Sequence, residues 1–207
     1  MRHGNEAVVD WRKMPKKNVN KNKNDPRAAR SRRDIKNATL TLIAQKPFRQ
    51  IQAEEIIELA TVNFKTFYRY YSSKADVLEN IRNDILKNLA VGLESLGPGN
   101  LMGGVAVFYN YINTREPAYK RLFNDEEYSD FFQELKDDFF SLPFFERFCN
   151  DPAYADMVPG YIGDAAMGMY RHWQKKSDDD PSKQSLDELA DQTARILMGG
   201  LRGINEE

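Results

Sequence analysis

Apolar residues recur along most of this chain at three- and four-residue intervals, the spacing of one face of an α-helix. Asp25-Pro26 reads as an N-cap followed by the first helical position. Ile35, Ala38, Leu42 and Ile43 then mark one apolar face, and Lys46-Pro47 ends it, because proline lacks an amide donor and disfavours helix in the residue before it. Phe48 and Ile51 flank that break as apolar anchors. A short second helix is predicted over 53–60, with Ile56, Ile57, Leu59 and Ala60 inward and Glu54 and Glu55 in a first turn where the helix dipole favours acids. After a turn at Thr61-Val62, Asn63 is a good N-cap for a third helix over 63–71, whose buried face would be Phe67, Tyr70 and Tyr71. Ser72-Ser73 breaks the run and caps a fourth helix from Lys74, striped by Val77, Leu78, Ile81, Ile85 and Leu89. Gly97-Pro98-Gly99 is a firm break. Beyond it the period predicts helices at 101–114, 117–123, 127–148, 153–176 and 185–201, with a loop at 177–185 rich in Asp. No strand period and no internal repeat interrupts this pattern, so the expected fold class is all-α.

Charge divides the chain. Residues 1–80 hold 17 Lys+Arg against 9 Asp+Glu, and residues 81–207 hold 13 against 22. A basic leading third that attracts polyanions thus precedes an acidic body. Residues 1–24 are rich in Lys and Asn and show no apolar period, so they read as a basic disordered tail. Lys13, Lys16, Lys17, Lys21 and Lys23 there either follow a phosphate backbone or simply solvate the tail. The organisation expected is that tail, a basic helical domain at 25–80 and an acidic helical domain at 81–207. No apolar run approaches the roughly 18 residues of a membrane span, and no secretory signal is apparent. The single cysteine, Cys149, excludes an intrachain disulfide and fits a reducing compartment. A cytoplasmic protein is expected.

Three helices with a tight turn between the second and third form a helix-turn-helix arrangement. The stretch from Phe48 to Leu78 resembles the DNA-binding domain of the TetR family of bacterial regulators. The matching places are Phe48 and Ile51, Ile56-Ile57, the turn Ala60-Thr61-Val62-Asn63, the run Thr66-Phe67-Tyr68-Arg69-Tyr70-Tyr71, Lys74, and Val77-Leu78. Two places depart from the family pattern. Thr61 stands where the family has a turn glycine, which best tolerates positive φ. Lys65 stands where a small residue is usual.

A recognition helix enters the major groove leading end first. Phe64, Lys65 and Arg69, opposite the buried face, are therefore placed to reach base edges. Lysine bonds guanine acceptors, and an aromatic ring contacts a thymine methyl. Thr66, Tyr68 and Lys74 are better placed for phosphates, with Gln52 as a further phosphate candidate and Asn63 at the helix cap. Each has a plainer alternative: Tyr68 packed half-buried, Phe64 packed within the turn, Lys65 and Lys74 as solvated lysines. Arg32 and Arg33 either touch the backbone or are exposed.

The resemblance implies a helical C-terminal domain that binds a small molecule or a protein and dimerises through its last two long helices. Of 24 aromatic residues, 17 lie between Phe108 and Trp173. Phe108, Tyr109, Phe123, Phe131, Phe145, Tyr161 and Tyr170 are candidates for lining a pocket for a small hydrophobic or aromatic effector; the alternative is an aromatic core. Ile162, Ala166, Met169 and Trp173, with Leu189, Thr193 and Leu197, recur at helical spacing as candidates for a homodimer interface, the alternative being packing within the chain. Arg171-His172-Trp173 also resembles the end of the penultimate helix in one TetR subgroup.

No phosphate-cradling glycine loop, Gly-x-Ser-x-Gly elbow or metal-ligand spacing is present, and His3 and His172 lie far apart. No catalytic role, metal or cofactor is expected. The leading reading is a repressor that binds a palindromic operator in double-stranded DNA as a dimer and is released by an effector. The alternative is a TetR-like coactivator that acts through a protein partner.

Overall fold

The computed structural model describes residues 26–97, 99–114, 116–148 and 151–205. Expectations for the N-terminal tail, the Asp25 cap, Pro98 and Cys149 lie outside the described residues. Ten α-helices follow in order: α1 (Pro26–Gln45), α2 (Ala53–Leu59), α3 (Phe64–Tyr70), α4 (Lys74–Glu94), α5 (Leu101–Ile112), α6 (Pro117–Asn124), α7 (Ser129–Phe140), α8 (Pro143–Glu146), α9 (Val158–Gln174) and α10 (Leu186–Asn205). Short 3-10 turns occupy Phe48–Gln50 and Glu126–Tyr128. The described residues contain no strand, and none of their helices is long and apolar enough to cross a membrane. The fold class is all-α, as the period predicts.

The first three helices close on one apolar cluster. Ile35, Ile43, Ile51, Ile56 and Phe67 are fully buried, each from the face that the spacing marks. α4 begins in this unit and continues unbroken past residue 80, so the two halves of the chain share a helix rather than a linker. It packs on α1 and also on α5 and α7.

The body departs from expectation in two places. The helix expected over 127–148 is broken at Ser141-Leu142, where Pro143 starts α8 at its first position. Proline cannot donate to the preceding turn, but its missing N–H costs nothing at a helix start. α9 begins at Val158, not 153. The Asp151 carboxylate accepts from Ala153 N at 2.8 Å, and its carbonyl accepts from Tyr154 N at 3.1 Å, which holds this stretch in turns.

Aromatic residues fill the interior of the body. Phe108 stacks on Phe139 at 5.0 Å and meets Phe140 at 5.1 Å, and Phe145 lies 4.8 Å from Phe140. Gly104 makes this possible, since a Cβ there would sit 2.6 Å from the Phe144 ring. The Tyr109 hydroxyl donates to Ala166 O at 2.7 Å and lies 3.1 Å from Thr193 Oγ1, tying α5 to α9 and α10.

Candidate nucleic-acid interface

The turn that sets α3 forms without glycine. α2 ends in paired bonds, Val62 N to Ile57 O at 3.2 Å and Thr61 N to Glu58 O at 3.0 Å, the pattern of a helix stop with a left-handed residue. Thr61 takes that place at φ 53°, alone among the described non-glycine residues in having positive φ. Asn63 then caps α3, its Oδ1 accepting from Thr66 N at 2.7 Å. Phe67 and Tyr71 are buried beneath the helix, and Arg32 lies 5.3 Å from the centre of the half-buried Tyr70 ring. The outward face carries Phe64, Lys65, Tyr68 and Arg69, all exposed. Thr66 is half-buried, and Gln52 is exposed at the start of α2.

Lys74 is engaged inside the protein. Its ammonium donates to the carbonyls of Phe48 at 2.8 Å, Arg49 at 3.3 Å and Ile51 at 2.6 Å, and lies 4.8 Å from the Phe48 ring centre. Three hydrogens meet three carbonyls, so in this arrangement none is left for a phosphate. Burial pushes its pKa down, opposed by the Glu127 and Glu55 carboxylates. Lys74 therefore clamps the α1–α2 connection, where the sequence pattern suggested a phosphate contact.

The same connection is gripped from the body. Glu127 accepts from Phe48 N at 3.1 Å and Arg49 N at 3.0 Å. Arg121 on α6 donates to Ile43 O near the end of α1 and pairs with Asp125, both at 2.7 Å. Tyr128 packs its ring 6.4 Å from Phe48. Lys46 and Glu55 pair across the connection, and that hydrogen bond lowers the Glu55 pKa. Sequence reasoning missed Arg121 and Glu127, whose partners lie 78 and 79 residues away, a separation that no local spacing encodes.

The pocket candidates scatter. Phe108, Tyr109, Phe131 and Phe145 are packed as core, and Tyr161 is exposed on α9. Phe123 and Tyr170 do line a cavity of about 580 Å³ between α6, α7 and α9, with Phe132 and Met167 alongside and Glu126, Asp130 and Arg171 at its rim. The dimer candidates also need correction. Ile162, Ala166, Leu189, Thr193 and Leu197 are buried within the chain, where α9 packs on α7 and α10, and α10 on α5. Trp173 is half-buried, donates to Gln184 O at 2.7 Å and sits under Lys183, which pins the loop before α10. A helical stripe reports burial, whichever chain supplies the cover. Met169 is half-buried, beside an outward face with Tyr161, Gly168, Ile196 and Gly199.

Residues 35–81 match the family model for bacterial regulatory proteins of the tetR family. No curated protein matches the chain. Among solved structures, a TetR transcriptional regulator from Streptococcus agalactiae aligns with TM-score 0.62 at 15% identity, covering 83% of this chain and 95% of that one. The dihydroxyacetone kinase operon activator DhaS aligns with TM-score 0.56 at 16% identity, covering 84% and 97%. At such identity the two structures speak to fold alone, while the helix-turn-helix segment itself carries the family's sequence pattern. The chain thus carries the sequence pattern of the tetR family's DNA-binding domain at residues 35–81, followed by an all-helical body, in a fold shared with a solved TetR transcriptional regulator.

Proposed function

We propose that this chain is a sequence-specific transcription repressor that binds a palindromic operator as a homodimer and is released by a small effector. The observation that carries the reading is the outward face of α3. It presents Phe64, Lys65, Tyr68 and Arg69 to solvent, while Phe67 and Tyr71 anchor the helix and Asn63 caps it. Lys65 and Arg69 reach base edges, and Thr66, Tyr68 and Gln52 serve the phosphates. Two such helices spaced for successive major grooves need a dimer. The free face of α9 and α10, with Tyr161, Gly168, Met169, Ile196 and Gly199, supplies its interface.

The effector site is the cavity between α6, α7 and α9. Its walls combine the rings of Phe123, Phe132 and Tyr170 with polar groups at the mouth, the usual make-up of a small-molecule site. The segment from Asn124 to Asp130 lines it and also contains Glu127, which holds the α1–α2 connection. An effector that favours one arrangement of this segment shifts the spacing of the recognition helices. A selection from random duplex DNA tests the proposal. It should enrich an inverted repeat bound by the dimer, with affinity falling steeply as salt rises. Enrichment of no sequence would remove DNA reading and leave the coactivator reading in its place.

A further inference from the structure

Phe64 is the one exposed phenylalanine among the described residues, with 59% of its surface in solvent. The ring is nonetheless buttressed. It lies 4.4 Å from the Tyr68 ring, which meets Phe67 edge-on at 5.1 Å and 74°, and Phe67 is fully buried. The three rings form a ladder from the core to the tip of the outward face. Such support lowers the ordering cost of a contact made at the tip. On either side of the ladder stand the exposed cations Lys65 and Arg69, and α3 contains no acid.

An apolar tip between two cations matches a polyanion that carries an apolar spot. Duplex DNA offers one such group in its major groove, the C5-methyl of a pyrimidine. We infer that Phe64 reads a methyl-bearing pyrimidine in each half-site, with Tyr68 as its buttress. A phenyl ring has no hydrogen-bond donor and no lone pair, so it does not distinguish the O4 of thymine from the N4 amino group of cytosine. It responds to the methyl. Thymine and 5-methylcytosine are then accepted at this position, and uracil and unmodified cytosine are both disfavoured, so cytosine methylation in an operator raises affinity. This inference rests on the DNA-binding reading and adds the chemical feature that is read.

The test uses the full chain and the operator taken from the random-duplex selection. Each thymine is replaced in turn by deoxyuridine, which removes only the methyl. At one position per half-site affinity should fall about four-fold, and about fifteen-fold when both half-sites are changed, the value of one buried methyl group. With a cytosine–guanine pair at that position, 5-methylation of the cytosine should restore about four-fold. Phe64→Ala should erase both differences without lowering the melting temperature. Indifference to deoxyuridine at every thymine of a selected operator overturns the inference, as does a thymine–uracil difference that persists in Phe64→Ala. Selection of no operator is a separate result, which overturns the DNA-binding reading itself.

Discussion

Thr61 bears a backbone cost that its neighbours do not. A left-handed conformation sets the Cβ of an L-residue against the following carbonyl, at about 1–2 kcal/mol, and Thr61 is exposed, so its side chain returns little packing. Thr61→Gly removes the clash but frees the unfolded chain, which offsets roughly 0.5–1 kcal/mol. The net expectation is a gain of about 1 kcal/mol, read as a rise in melting temperature of about 2–4 °C. Lys74 is the opposite case, a charge used to hold backbone. Lys74→Met keeps the aliphatic stem and removes all three carbonyl bonds, so stability should fall by about 2 kcal/mol. The slope of log affinity for DNA against log salt should stay unchanged. A phosphate contact would instead flatten it by about one unit, so parallel melting and salt titrations separate the two roles.

At the scale of elements, the join between body and recognition unit runs through the Phe48–Gln50 turn. Lys74 holds its carbonyls and Glu127 holds its amides. Glu127→Ala should expose the Phe48 and Arg49 amides and raise their hydrogen exchange about ten-fold, the worth of roughly one charge-assisted bond. Exchange unchanged at those two amides would mean that the carboxylate contributes nothing to the join. The outward side of α9 and α10 is the second junction proposed, between two copies of the chain. Ile196 is 55% exposed there, and Ile196→Glu would place a charge in an apolar seam. Sedimentation should show wild type near twice the 23.9 kDa chain mass and the variant near that mass. Equal masses would exclude this face from the dimer.

At the scale of the whole molecule, burial of tyrosine sets an alkaline limit. Burial raises the phenols of Tyr71, Tyr109, Tyr128 and Tyr170, the last two to about 12. In the unfolded chain they titrate near pH 10. Between these values the unfolded state binds fewer protons than the folded one, so stability present below pH 10 is lost as pH rises toward 12. Urea midpoints should hold level up to about pH 9 and then fall, with phenolate absorbance from these rings appearing only on unfolding. Midpoints that stayed level to pH 12 would contradict the burial.

Helix positions in the first hundred residues, the buried faces of α1, α3 and α4, that of α2 apart from the exposed Leu59, and the outward residues of α3 were legible from local rules alone: apolar period, caps and proline stops. The family resemblance followed from the same stretch, and the all-α class from the period along the whole chain. In the body, a period without its interruptions overran the break at Ser141-Leu142 and started α9 early, because a side-chain turn at Asp151 and a proline at 143 act on backbone donors rather than on hydropathy. Three assignments belonged to the tertiary structure. The aromatic surplus became core around Phe108, Phe139 and Phe145, and a cavity opens where α6, α7 and α9 diverge. The apolar stripe of α10 was spent on α5 and α9 and that of α9 on α7 and α10, which moved the free face to Tyr161 and Ile196. Lys74 and Glu127 found partners 23 to 79 residues away. The reason is common to all three: a one-dimensional pattern records that a side chain must be covered or paired, and only the folded chain decides by what.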